Sequence, residues 1–159
     1  MDRRLCRGFT LVELLVSVAI AGVLLGVAVP SFQQTIARAR LEGVANELAI
    51  DLQYTRSEAV RRRTTATIAI DAGGTFYTIT YLNQATNASV TLKTNNAPSG
   101  VTLAGSAPIV FDSLRGMANA ATLDLTSSQT VAQLRVLTSP NGRVRMCTPG
   151  GSFTGYTPC

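Results

Sequence analysis

Residues 9–29, FTLVELLVSVAIAGVLLGVAV, form an almost unbroken apolar run of 21 residues. As a helix rising 1.5 Å per residue the run spans roughly 31 Å, enough for the hydrocarbon core of a bilayer. Arg3, Arg4 and Arg7 precede it. The positive-inside rule therefore sets the N-terminus in the cytoplasm and everything after Pro30 outside. A secretory signal peptide has similarly basic flanks. This run is long for such a peptide, however, and no A-x-A-like site follows it. Retention as a membrane anchor is the better reading.

One residue interrupts the run. Glu13 is an ionisable group inside a membrane segment, which costs at least a few kcal/mol and marks function, with a partner to be named. Cleavage between Gly8 and Phe9 would create an α-amino group four residues from Glu13. In a helical assembly the carboxylate could also meet the terminal amine of a neighbouring subunit. The stretch 8–16, GFTLVELLV, resembles the class III signal of type IV pilins and type II secretion pseudopilins. That resemblance implies cleavage after Gly8 by a membrane-embedded prepilin peptidase and methylation of Phe9. It also implies a role for Glu13 in subunit docking during filament assembly, and Pro30 matches the proline where pilin helices bend. The chain then divides into a cleaved leader (1–8), a transmembrane helix segment (9–29) and an extracytoplasmic head (30–159).

Composition bounds the head. The chain has 159 residues, of which 46% are hydrophobic and 14% charged, so a single domain with a real core is expected. There is no histidine, which removes the commonest general base and zinc ligand. No serine sits in a nucleophile elbow and the carboxylates are scattered singly, so neither an enzyme nor a cofactor is expected. The formal charge is +5. Removing the leader takes away Arg3, Arg4 and Arg7 against Asp2, a net +2, and leaves +5 − 2 = +3. An anionic partner must therefore be recognised by a local patch. Cys6 would go with the leader; no apolar segment precedes it, so a lipoprotein reading is weak.

From 31 to 62 no proline intervenes, and Leu41, Val44, Leu48, Leu52 and Ala59 fall near the 3.6 period. One helix is expected from the membrane into the head, with this stripe on a sheet and Glu42, Glu47, Asp51, Arg56 and Glu58 largely on other faces. Arg61, Arg62 and Arg63 would close it, complementing the C-terminal dipole. The period then changes. Residues 64–71 and 75–82, joined by Gly73 and Gly74, read as a hairpin. Short strands are expected near 90–93, 101–103, 109–112, 122–125 and 131–138, with a last hairpin to 143–147 through Ser139-Pro140-Asn141-Gly142. The fold class is α+β, a long N-terminal helix packed on a C-terminal antiparallel β-sheet. This pattern, with ELAIDLQYTRSEAVRR at 47–62, resembles the GspH/FimT-like minor pilins and so implies a type IV pilin fold. Cys147 and Cys159 would tie the loop-like tail, GGSFTGYTPC, back to the last strand as a disulfide outside the cytoplasm. A metal site is the rival use of two cysteines, although no third or fourth ligand is nearby.

The final hairpin carries Gly142-Arg143-Val144-Arg145. In the FimT-like subgroup a G-R-x-R motif implies contacts to double-stranded DNA during natural transformation. Strand alternation puts Arg143 and Arg145 on one face, their β-carbons roughly 6–7 Å apart, a spacing that suits neighbouring phosphates. Arg135 is a further candidate, and Phe153 and Tyr156 in the tail could enlarge the patch. Two alternating arginines are otherwise the ordinary solvated face of a strand. Two functions follow. One is a minor pilin that binds DNA without regard to sequence. The other is a structural minor pilin or type II secretion pseudopilin that primes or caps a filament without DNA. The implied partners are other minor and major pilins, the prepilin peptidase, the assembly platform, DNA and the inner membrane. The implied location is the inner membrane, with a periplasmic head, before assembly and the cell-surface pilus after it.

Overall fold

The computed structural model describes residues 9–151 and 153–159, without the side chains of Val27, Ala28 and Pro30. Gly8, Cys6 and the rest of the leader lie outside the described residues, as does the Pro30 side chain on which the expected bend rests. The chain divides into two compact units between Thr35 and Ile36.

The first unit is helical. Helix α1 (Leu11–Arg62) opens at Thr10, whose Oγ1 accepts the Glu13 N–H at 3.2 Å and so satisfies a first-turn donor. Residues 9–26 are exposed all round, with Leu11 at 79% and Leu25 at 63%. An apolar helix left bare on every face needs lipid or other helices as its surroundings.

The second unit, Ile36–Cys159, holds every buried residue among those described, so its interior is complete without residues 9–35. Eight strands follow the helix: β1 (Ala66–Ile70), β2 (Phe76–Asn83), β3 (Ala88–Asn96), β4 (Val101–Gly105), β5 (Ile109–Phe111), β6 (Ala121–Ser127), β7 (Thr130–Thr138) and β8 (Val144–Cys147). They form two four-stranded antiparallel sheets, ordered β3-β2-β1-β5 and β4-β6-β7-β8, where one sheet was expected. The helix stripe read from the sequence is buried throughout. Leu41, Leu48 and Leu52 join one core with Ile68, Ile79 and Phe111 of the first sheet and Leu123, Leu134 and Val136 of the second. The sheets meet at the β1–β2 turn, where the Leu103 N–H of β4 donates to the Gly74 carbonyl at 2.9 Å. Gly74 has φ +66°, and a β-carbon there would strike the Leu103 carbonyl oxygen.

The same turn is held by Asp71. Its carboxylate accepts the N–H groups of Gly73, Thr75 and Phe76 at 2.9, 2.6 and 2.8 Å. These bonds, that from Phe76 foremost, hold its pKa below the ordinary value.

Two acidic residues depart from the expected outer faces. Asp51 and Glu58 are buried, which burial tolerates only because each is paired. Asp51 accepts Tyr77 Oη–H at 2.7 Å, Lys93 Nζ at 2.9 Å and Asn95 Nδ2 at 2.7 Å, tying the helix to β2 and β3. Hydrogen bonding to Asp51 raises the Lys93 amine, and burial raises the Tyr77 phenol. Glu58 takes Arg61 and Arg62 at 2.7 Å each, and the Arg61 bond leads in lowering its pKa. Arg62 also stacks 4.2 Å from the Tyr81 ring centre. The helix ends with Arg63 at φ 52°. There Thr64 N–H reaches the Ala59 carbonyl at 3.1 Å and Arg63 N–H the Val60 carbonyl at 3.2 Å, a Schellman ending.

Two outcomes are expected. Asp51→Ala removes the buried acceptor of the Tyr77 hydroxyl and the nearer carboxylate of Lys93, and urea unfolding of residues 36–159 should show a loss of about 2–3 kcal/mol. Asp71, with its depressed folded pKa, contributes stability above its unfolded pKa that is lost as pH falls through the folded one. Melting temperature against pH should therefore fall less steeply below about pH 4 in Asp71→Asn than in the wild type.

Candidate nucleic-acid interface

The β7–β8 turn is built by its own backbone. Gly142 N–H donates to the Ser139 carbonyl at 2.8 Å, Ser139 N–H to the Arg143 carbonyl at 3.0 Å, and Arg143 N–H to Asn141 Oδ1 at 3.2 Å. The register that follows pairs Val144 with Thr138, Arg145 with Leu137 and Met146 with Val136. Val144 and Met146 are packed against the core, while Arg143 and Arg145 are exposed. Among the described residues neither guanidinium makes a hydrogen bond or ion pair. Strand β8 is an edge of its sheet and begins at Val144, one residue later than expected, so Arg145 lies within it and Arg143 in the turn just before it, with no further strand beyond them.

The other sequence candidates are placed differently. Arg135 faces outward but sits directly opposite Asp124, which it grips at 2.6 and 3.0 Å. A phosphate there would have to displace a carboxylate. Gly142 is buried, with φ +72°, so it shapes the turn and offers no surface. Phe153 and Tyr156 do not enlarge the patch. Phe153 is only 8% exposed and meets Tyr156 edge-on at 5.7 Å, and Tyr156 Oη donates to Glu42 Oε1 at 2.8 Å. Burial of the ring, then the Glu42 bond, raises the Tyr156 pKa. Aromatic rings gain more from the core than from water, and a partner for the hydroxyl completes the exchange.

The tail is also fixed covalently. Cys147 and Cys159 are joined, with their α-carbons 5.1 Å apart, and Thr148 N–H donates to the Thr157 carbonyl at 3.0 Å. The C-terminal end of β8 is thus anchored through the tail to α1. In the first unit, Phe9 is 80% exposed and Glu13 heads the apolar helix.

The charge pattern has a simple origin. Each of the seven carboxylates between 36 and 159 already has a partner. Glu42 holds Tyr156, Glu47 holds Asn95, and Asp51 and Glu58 hold the groups named above. Asp71 and Asp112 hold backbone amides, and Asp124 holds Arg135. The cations left over are arginines. One of them, Arg56 of α1, was not among the sequence candidates yet lies against Gly142, a contact across 86 residues of sequence (142 − 56) for which no local pattern exists.

The profile of the family described as Type II transport protein GspH matches residues 44–142, more than half of the chain. The chain belongs to the GspH family. A second profile, the prokaryotic N-terminal methylation motif, matches residues 3–29 of this GspH-family chain. The type IV major fimbrial protein FimA of Dichelobacter nodosus is 44% identical over 45 residues, 28% of this chain; the chain spans about 29% of the length of that curated relative. The minor pseudopilin EpsH from the type 2 secretion system of Vibrio cholerae superposes with a TM-score of 0.60 at 17% identity, covering 70% of this chain and 98% of EpsH. The type IV minor pilin FimU of Pseudomonas aeruginosa gives 0.58 at 22% identity, covering 73% and 97%. The fold is the type IV pilin fold, and the apolar helix with its methylation motif fits a membrane-anchored pilin or pseudopilin.

Losing the covalent and polar anchors of the tail should be additive only in part, because both hold one loop. Cys159→Ser is expected to lower the unfolding free energy of residues 36–159 by about 3 kcal/mol. Tyr156→Phe should lower it by about 1 kcal/mol, both read by urea denaturation.

Proposed function

We propose that this chain is a minor type IV pilin that is built into a pilus and binds double-stranded DNA without regard to sequence, supporting DNA uptake in natural transformation. The observation that carries the reading is the pair Arg143 and Arg145, exposed at and just before the start of edge strand β8 and without partners among the described residues. An arginine fork suits bidentate phosphate contact. Two forks roughly 6–7 Å apart at their bases match successive phosphates of one strand. The turn, the β7 ladder and the disulfide hold that spacing before any ligand arrives, which limits the ordering cost of binding.

The steps before binding belong to the N-terminal segment. Cleavage after Gly8 by the prepilin peptidase and methylation of Phe9 would leave Glu13 near a new terminus. Glu13 would then dock the subunit against its neighbours as the assembly platform extracts it from the inner membrane. The periplasmic head would reach the cell surface with the pilus. A second reading keeps the filament role and drops DNA: a pseudopilin of a type II secretion system, favoured by the GspH profile and the likeness to EpsH.

Fluorescence anisotropy with labelled duplexes of unrelated sequence, at several salt concentrations, separates the two. DNA binding predicts similar affinities for all duplexes and a linear fall of log K with log salt. Arg143→Ala with Arg145→Ala should reduce that slope by about 2 and weaken binding at every sequence alike. No binding at low salt, or an unchanged double variant, leaves the pseudopilin reading. Deletion of the gene should then abolish filaments or secretion rather than transformation alone.

A further inference from the structure

We propose that Arg56 of helix α1 is a third phosphate-binding residue of the same surface, its guanidinium held in place by the backbones of Gly116 and Gly142. The inference rests on the DNA-binding reading above and adds to it a residue from a different element.

The geometry comes from two glycines. Gly116 has φ +60°, and a β-carbon there would lie 2.9 Å from both Cγ and Nε of Arg56. Gly142 has φ +72°, and a β-carbon there would lie 3.0 Å from Arg56 Nε and 3.2 Å from its Cζ, besides striking the Gly116 carbonyl oxygen. The Arg56 side chain is therefore laid against two bare peptide segments that also touch each other. Ala118 N–H, donating to the Pro140 carbonyl at 3.1 Å, locks the two loops together. Only glycine allows this packing at either position, because a side chain would occupy the space of the guanidinium as well as strain the backbone.

A guanidinium so placed ordinarily has acceptors. Among the described residues Arg56 has none, yet it is half-buried. The buried side-chain atom left without a partner among those residues is Thr138 Oγ1, so the Arg56 nitrogens keep access to solvent. The fork is fixed in position, open to the outside and unused.

Its neighbours are also cations. Arg143 follows Gly142 and Arg115 precedes Gly116, both exposed. Each starts about 3.8 Å along the chain from a glycine that touches Arg56. Glu58, the acid nearest Arg56 in sequence, is taken by Arg61 and Arg62, and Asp112, the acid nearest Arg115, directs its carboxylate to the N–H groups of Leu114 and Arg115 at 3.1 and 3.3 Å. Three guanidinium groups thus start from one small area with no carboxylate paired to any of them among the described residues. An anion with several oxygens relieves that repulsion, and a polyphosphate strand supplies them in series. The glycine of the G-R-V-R stretch then has a definite part: it brings Arg56 beside Arg143.

The test uses the full chain in a neutral detergent and labelled duplex DNA. Arg56→Met keeps the aliphatic packing against the glycines and removes the fork. The expected result is a salt slope reduced by about 0.9, one phosphate contact, with an unchanged melting temperature. A slope and affinity equal to wild type, while Arg143→Ala with Arg145→Ala reduces both, overturns the role of Arg56 and leaves the DNA reading standing. Failure of the wild type to bind any duplex overturns both. Should Arg56→Met melt early, the wild type answers the question through phenylglyoxal labelling followed by peptide mass spectrometry. Protection of Arg56 by DNA supports the proposal; equal labelling with and without DNA, while Arg143 and Arg145 are protected, refutes it.

Discussion

Burial of one helix stripe under two sheets is the constraint on which the head depends. Leu41, Leu48 and Leu52 are wholly enclosed, and strands from both sheets contribute to the same interior. Each such leucine gains roughly 1.5–3 kcal/mol on leaving water. Neither sheet could bury its inner face alone, since each has only four strands. The helix is the shared floor, and the Gly74–Leu103 contact is the seam.

Placement of charge follows from that burial. Once the stripe is turned inward, Asp51 and Glu58 come with it, and each draws cations to itself. Turn-forming acids are taken by backbone amides. The head thereby uses its negative charge internally and presents its arginines to solvent. A positive surface arises here with a modest net charge, because what matters is which charges remain unpaired.

Periodicity made much of this legible. The stripe on α1 and the hairpins that became β1–β2 and β7–β8 are local signals, and the structure reproduces them. Pairing between strands distant in sequence is another matter. That β4 joins β6 while β5 joins β1 depends on which edges meet, and no letter pattern encodes it. The inward turn of Phe153 and Tyr156 depends on Glu42, 114 residues from Tyr156. Arg135 reads as a free cation until its register opposite Asp124 is known. Gly142 read as a turn residue and as the first member of the G-R-x-R motif; its contact with Arg56 appears only in three dimensions. Local chemistry was readable and tertiary juxtaposition was not.

Strand β8 has one more consequence. It is a short edge with unpaired backbone groups along one side, and such an edge invites another chain to add itself as a further strand. Arg145 within the strand and Arg143 just before it set like charges beside that edge, so a second copy arriving in register would bring its own arginines against them. Wherever copies of the chain are concentrated, this mutual exclusion keeps their edges apart. The exposed arginines thus oppose the templating of sheets along this edge.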